Sequence, residues 1–317
     1  MKILVTPTSL QPKSGSPVLE ELRAFSEDLV FNPAGRPLTE DEVIEALQGC
    51  EGYVAGLDFI TGKVFENCPD LKVVSRYGVG YDRVDIEAAK DHGVIVTNTP
   101  GVNAEAVGEL TFGLLLAVAR RIPKLDQDTR AGGWMRSTGF ECYGKKICIL
   151  GLGAIGKVVA RCAQGFGMQV SAYDPFINEA YCEEHGIRIV TFEEGISDAD
   201  VISLHLPLME STKHIIDRAA IGSMKTGAVV INASRGGLID EEAAYDALKS
   251  GKLGGLGLDA FEAEPPKDSP LFEFDNVVVT PHTGAHTAEA TYNMASLSVR
   301  NLIEVFQTGT CRYIVNR

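Results

Sequence analysis

Residues 145–175 read KKICILGLGAIGKVVARCAQGFGMQVSAYDP. The apolar run KICIL ends at three glycines, Gly151, Gly153 and Gly156, spaced GxGxxG, and a helical pattern begins among them. A strand that breaks at such a turn and restarts as a helix is the phosphate-binding half of a βαβ unit. The first glycine permits the tight turn, the second lets the main chain approach a pyrophosphate, and the third lets the helix pack on its own strand. The helix N-terminus then offers amides and the positive end of its dipole to the anion. The next strand, QVSAYD, ends in Asp174, eighteen residues beyond Gly156. A carboxylate there accepts hydrogen bonds from adenosine ribose hydroxyls and repels a 2′-phosphate, so the expected cofactor is NAD and not NADP.

The same alternation runs through the chain. Short β-branched runs recur at KILVTP, YVAGL, LKVVSR, VIVTN and KICILG, then at QVSAYD, ADVISLHLP, GAVVINAS, LGGLGLDAF and NVVVTPH. Helical patterns such as VDIEAAKDHG and EEAAYDALKSG lie between them, each ending at a glycine. Continuous apolar strands alternating with amphipathic helices predict an α/β fold of doubly wound parallel sheets covered on both faces. Residues 39–42, TEDE, have the form of a capping box opening a helix. Two longer helices are expected, at about 103–121 and 287–308. Residues 122–144, which hold the single tryptophan, Trp134, read as a long polar loop, functional or an oligomer arm.

A chain of 317 residues suits two domains of ordinary size. Its 45% hydrophobic and 23% charged residues are those of a globular protein. The net charge is −14 and there is no run of Lys and Arg, which argues against nucleic acid or an anionic membrane as partner. Seven cysteines, odd in number and never spaced CxxC, predict neither a disulfide framework nor a zinc site, and favour a reducing compartment. The start, MKILVTP, reads as a strand and not a signal peptide, and LTFGLLLAVA is too short to span a bilayer. A cytoplasmic location is therefore expected.

Three later segments, NASRG, LDAFEAEPP and TPHTGAHT, end strands with polar groups. In an open parallel sheet the ligand lies beyond the carboxyl ends of the strands, so Arg235, Asp259, Glu264 and His282 are expected to converge. Histidine gives or takes a proton near neutral pH, as a carbonyl–alcohol interconversion by hydride transfer requires. Glu264, if bonded to His282, would favour the imidazolium. Arg235 has the planar fork that fits the carboxylate of a 2-keto or 2-hydroxy acid. Singly these are a surface arginine, a solvated glutamate and a core histidine; their joint occurrence at successive strand ends favours a site. His205, in SLHLP, reads as structural, and His286 begins a helix. His92, His185 and His214 read as helix-end or turn residues. No His, Asp or Glu group has metal spacing.

Taken in order, GLGAIG with Asp174, NASRGGLID, LDAFEAEPP and TPHTGAHT resemble the signatures of the D-isomer-specific 2-hydroxyacid dehydrogenases. SRYGVGYDRVD and NTPGVNAEAVGELTFGLLLAVAR resemble the same family's N-terminal elements, so the likeness covers most of the chain. It implies two Rossmann-like domains with a cleft between them, the substrate domain being 1–98 plus 286–317 and the NAD domain 99–285. It implies Arg235 as the substrate-binding arginine, His282 as proton donor and Glu264 as its partner. Ala154 and Ile155 would present amides to the pyrophosphate, and Asp259 would hold the nicotinamide carboxamide. The likeness also lines the cofactor with Leu206, Ala233, Arg235, His282 and Ala285. Val79 and Gly80 would meet the substrate carboxylate with their amides. The family's habit further implies a homodimer through the cofactor domains, with the region of Trp134 reaching across.

Among family members the look is closest to the D-3-phosphoglycerate dehydrogenases, through Arg76 before the GVG loop and Trp134-Met135-Arg136 in the arm. Those cations would hold a phosphate. Two features depart from that branch. AGLDFIT lacks the arginine often found there, and His286 replaces a small residue. Hydroxypyruvate, glyoxylate or another small 2-keto acid is the alternative substrate, and an NAD-sensing corepressor-like protein the alternative of another class.

Overall fold

The computed structural model describes residues 1–317, which divide into two compact units, Met1–Asn103 with His286–Arg317, and Ala104–Ala285. In the first, five strands form one parallel sheet: β1 (Lys2–Val5), β2 (Asp28–Phe31), β3 (Gly52–Ala55), β4 (Val73–Arg76) and β5 (Ile95–Thr97), in the order β2-β1-β3-β4-β5. Side chains alternate between faces, so Leu4, Tyr53 and Val74 pack with Val43 and Val64, while Ile3, Val5, Val54 and Val73 pack with Leu19, Leu22, Val299 and Leu302. Burial on both faces is why β3 and β4 carry no exposed residue.

The helix Ala288–Thr308 is also held to this sheet by a buried polar seam. Ser75 Oγ donates to the Ser298 carbonyl at 2.7 Å, Thr97 Oγ1 donates to Ser75 Oγ at 2.9 Å, and Asn301 Nδ2 donates to the Asn98 carbonyl at 2.9 Å. Such bonds fix the helix's rotation and register, because a slip would leave buried groups unpaired.

The second unit has seven parallel strands: β6 (Lys146–Leu150), β7 (Gln169–Tyr173), β8 (Arg188–Ile189), β9 (Val201–Leu204), β10 (Ala228–Asn232), β11 (Leu253–Leu258) and β12 (Val277–Val279). Their order is β12-β11-β10-β9-β6-β7-β8, so the winding reverses between β6 and β9. One face (Leu150, Ile202, Val230, Leu256) packs on Ala244 and Leu248 of the helix Glu241–Lys249. The other (Ile147, Ile149, Val229, Ile231) packs on the helices Ala104–Arg120 and Ala154–Gly165.

Two expectations need correction. Residues 122–144 are not one loop, since Ile122–Arg130 is a helix. Arg121, at φ 52°, breaks it from the preceding helix. Pro123 sits in its first turn, where a missing N–H is harmless, and Arg130 pairs with Asp126 one turn back at 2.8 Å. Strands β2 and β8 were also not among the apolar runs. Both are sheet edges with no fully buried residue, and both are short: β2 (DLVF) has three apolar residues behind an acid, and β8 is two residues long. The capping box at Thr39 is present, with Glu42 Oε2 accepting from the Thr39 amide at 2.8 Å. All seven cysteines are unpaired, and no helix is long and apolar enough to cross a membrane.

The seam yields a test. Asn301→Ala removes the donor from a buried carbonyl and should cost roughly 1–3 kcal/mol, read as a lower urea midpoint with an unchanged m-value. A midpoint equal to wild type would remove the seam's claimed role.

Candidate active site

The glycine turn lies at the carboxyl end of β6, beside β9, where the winding reverses and a ligand is expected. Gly151 has φ 100°, and a side chain there would stand 2.7 Å from the His205 carbonyl group, so the two strand ends can approach only across a glycine. At Gly156 a Cβ would lie 2.1 Å from the Gly151 oxygen, which seats the helix Ala154–Gly165 directly on the turn. Gly153, by contrast, faces open space, and it and Ala154 are exposed at the helix mouth. A dinucleotide pyrophosphate fits this cradle, with the amides of Ala154 and Ile155 at its rim. Asp174 lies at the end of β7. Its Oδ2 accepts from the Leu152 amide and its Oδ1 from the Phe176 amide, both at 2.8 Å, so the acid is locked against the glycine turn. Leu206 is buried beside Gly151, and its carbonyl accepts from Ser234 Oγ at 2.8 Å.

The polar strand ends also meet. Asn232, Leu258 and Val279 belong to neighbouring strands in parallel register, so the segments after them leave the sheet side by side. Asn232 is fully buried and shapes the first of these turns: its Nδ2 donates to the Arg235 carbonyl at 2.8 Å and its Oδ1 accepts from the Ser234 amide at 3.0 Å. Ala233, within this turn, is partly exposed. The Arg235 side chain is steadied by an Nη1 bond to the Ser234 carbonyl at 2.8 Å. Gly236 then presses against the Phe261–Glu262 peptide so closely that a Cβ would fall 1.8 Å from the Phe261 carbonyl carbon. This contact sets the arginine turn against the glutamate turn. Sequence marks the two glycines behind Arg235 as keeping its turn tight and uncrowded, but neither the buried Asn232 nor the partner that Gly236 presses against is visible there.

Glu264 Oε1 lies 2.8 Å from His282 Nδ1 and also accepts from the Phe261 amide at 3.3 Å. Both side chains are mostly buried, at 18% and 28% exposure, so the pair is shielded but one edge of the imidazole reaches solvent. His282 has φ 50°, a left-handed conformation uncommon for a side-chain-bearing residue. Asp259 holds it there. Buried to 2%, it accepts from Thr280 Oγ1 (2.6 Å), the Thr283 amide (2.8 Å) and the Gly284 amide (2.7 Å). Its carboxylate thus organises the histidine loop, which ends at the partly exposed Ala285.

In the first unit, Arg76 differs from expectation. It is 3% exposed, with Nη1 on the Ala55 carbonyl at 2.7 Å and Nε on the Gly80 carbonyl at 3.1 Å. It lies beneath the GVG loop as a support, and a guanidinium so enclosed is not presented to a phosphate. The carbonyls of Gly78 and Val79 also turn inward, to the Thr99 amide (3.0 Å) and Asn98 Nδ2 (2.8 Å). In a planar trans peptide the N–H opposes the carbonyl, so the amides of Val79 and Gly80 point outward, an arrangement suited to a carboxylate. Asp58, 1% exposed in AGLDFIT, is absorbed by Tyr53 Oη (2.8 Å), Thr6 Oγ1 and the Leu38 amide (2.6 Å).

His205 is enclosed against the glycine turn, with Nε2 at 2.8 Å from Ser203 Oγ and Nδ1 buried without a partner. Desolvation pulls its pKa down to about 3, so the folded protein keeps it neutral. An unfolded histidine protonates near pH 6.5. Below that pH the unfolded chain binds a proton the folded chain refuses, so this residue's stability contribution is full above pH 6.5 and is lost as pH falls toward 3. Unfolding free energy should drop by up to about 2 kcal/mol between pH 7 and 5 from this group alone. His205→Asn should flatten that slope in urea titrations at the two pH values; an unchanged slope would contradict the assignment.

Comparison with known proteins places this geometry. The sequence family described as D-isomer specific 2-hydroxyacid dehydrogenase, NAD binding domain, matches residues 112–284. The chain is 40% identical over its full length to a D-3-phosphoglycerate dehydrogenase of Methanocaldococcus jannaschii, of whose length it spans 59%. It is also 40% identical, over 98% of its own length and 94% of the other's, to a glyoxylate reductase of Korarchaeum cryptofilum. The crystal structure of a D-lactate dehydrogenase from Aquifex aeolicus, complexed with NAD and lactic acid, superposes with a TM-score of 0.87 at 27% identity, covering 100% of this chain and 99% of that one. With the glycine cradle and polar strand ends in the same region as the match, the chain belongs to the D-isomer specific 2-hydroxyacid dehydrogenase family, and residues 112–284 are its NAD-binding domain.

Proposed function

We propose that the protein is an NAD-dependent oxidoreductase that interconverts a small D-2-hydroxy acid and its 2-keto acid. The observation that carries this reading is the His282–Glu264 pair at 2.8 Å, set beside the Arg235 turn by the Gly236 contact. A carboxylate can only accept, so Glu264 puts a proton on Nδ1 and leaves Nε2 to exchange one with substrate. When bound, the cofactor would supply the hydride for reduction in its reduced form, NADH, and would take it up in the reverse direction as NAD⁺. As hydride reaches the carbonyl carbon, His282 Nε2 gives its proton to the oxygen, and Glu264 stabilises the imidazolium that starts the step. In oxidation His282 takes the hydroxyl proton. Arg235 grips the substrate carboxylate and fixes its orientation. Val79 and Gly80 are the proposed carboxylate-binding amides of the first unit, and Asp174 the proposed ribose anchor. The exposed Trp134 and Tyr143, at 81% and 80%, support an arm that pairs two copies.

Within this class an unphosphorylated two- or three-carbon keto acid is favoured over a phosphorylated one, because Arg76, a cation expected to hold the phosphate, is buried under its loop. The test is NADH oxidation with glyoxylate, hydroxypyruvate, pyruvate and 3-phosphohydroxypyruvate. The highest kcat/KM should fall on one of the first three. A preference for the phosphorylated acid would overturn the substrate reading, and inactivity with every 2-keto acid would overturn the enzyme reading in favour of NAD sensing.

Two variants separate the roles. His282→Ala should lower kcat by about 10²–10⁴, whereas Arg235→Lys should act mainly on KM for the keto acid, by roughly tenfold, since charge survives but the fork does not. Wild-type kinetics in either variant would strike that residue from the mechanism.

A further inference from the structure

Behind the Arg235 and Glu264 turns lies a cluster that the proposed mechanism does not use. Glu262 stands two residues before Glu264. Its Oε1 lies 3.0 Å from His214 Nε2 and accepts from the Glu241 amide at 3.3 Å. The bond is returned, because Glu241 Oε1 accepts from the Glu262 amide at 2.8 Å. Glu241 opens the helix that follows the arginine turn, and burial raises its carboxyl pKa. His214 belongs to a third segment, which is zipped to the arginine turn. Its amide donates to the Gly237 carbonyl at 2.7 Å, and the Ile216 amide donates to the Leu238 carbonyl at 3.0 Å. Like His282, His214 is left-handed, with φ 51°.

We propose that Glu262, interlocked with His214 and Glu241, is a positioning residue that sets the distance between Arg235 and the Glu264–His282 pair. Three segments meet on its one carboxylate oxygen and its amide. The Gly236 contact stops the two turns from coming closer, and the Glu262 bonds stop them from drifting apart. A misplacement of about 1 Å at a reacting group can cost about 10² in rate, so such a brace has kinetic weight without touching substrate. The inference rests on the catalytic reading of Arg235, Glu264 and His282.

Glu262 is 40% exposed at its side chain, so its substitution leaves the core intact. Glu262→Ala should lower kcat for the best keto acid about tenfold or more with a much smaller effect on KM for NADH, since the glycine turn lies on other strands. Glu262→Gln keeps the accepting oxygen and should restore most of the rate. An independent readout is the downfield proton resonance of His282 Nδ1–H in the resting enzyme, which should weaken or shift in the alanine variant and return in the glutamine variant. The brace is overturned if Glu262→Ala has wild-type kcat and resonance, if both variants are equally impaired, or if KM for NADH changes by the same factor. His282→Ala, run alongside, separates the two readings. An active His282→Ala enzyme defeats the catalytic reading, whereas an inactive one beside a fully active Glu262→Ala defeats the brace alone.

Discussion

The second unit's candidate chemistry hangs on one buried carboxylate. Asp259 lies at the end of β11 with almost no exposed surface, where an ion is costly unless its oxygens are satisfied. Three donors satisfy it, and all belong to the segment 280–284 that carries His282. The cost of burying the charge is thereby turned into definition. The loop cannot leave without stranding an anion, and it holds a histidine in a backbone conformation it would otherwise avoid. The same economy appears in the first unit, where Asp58 gathers Tyr53, Thr6 and Leu38 beneath AGLDFIT.

The second constraint is parallel register. Because β10, β11 and β12 run alike and pair in step, their carboxyl ends fall on one edge of the sheet, with Asn232 beside Leu258 and Leu258 beside Val279. Gly236 completes the approach by removing the atom that would keep the turns apart. The reversal between β6 and β9 does the same for the glycine turn and His205. Strand order brings the groups to the edge, and missing side chains let them close.

Much of this was legible in the sequence because the signals are local. A glycine triplet between a strand and a helix, a capping box, and a strand that ends in Arg235 or precedes His282 each show within a dozen residues. What escaped depends on partners distant in the chain. Arg76 reads as an available cation, and only the fold shows it turned under its loop to Ala55 and Gly80. Asp259 reads as a ligand for the cofactor, yet its visible work is to hold the histidine loop. Glu262 passes unmarked inside LDAFEAEPP and His214 carries no motif, because their meaning lies in three segments meeting at one oxygen. The helix Ile122–Arg130 escaped for another reason, since its proline and polar residues suit a first turn as well as a loop.

The outward amides of the 78–80 loop carry a consequence for divergence. A grip built from peptide N–H groups belongs to the backbone's path and not to the identity of the side chains along it. Any sequence that keeps Arg76 beneath the loop and Asn98 beside it keeps these amides facing outward, and with them the carboxylate contact proposed above. The exposed side chain of Val79 can then drift under selection. If that proposed contact holds the substrate, the preferred acid can change by single steps without passing through forms that bind no acid at all.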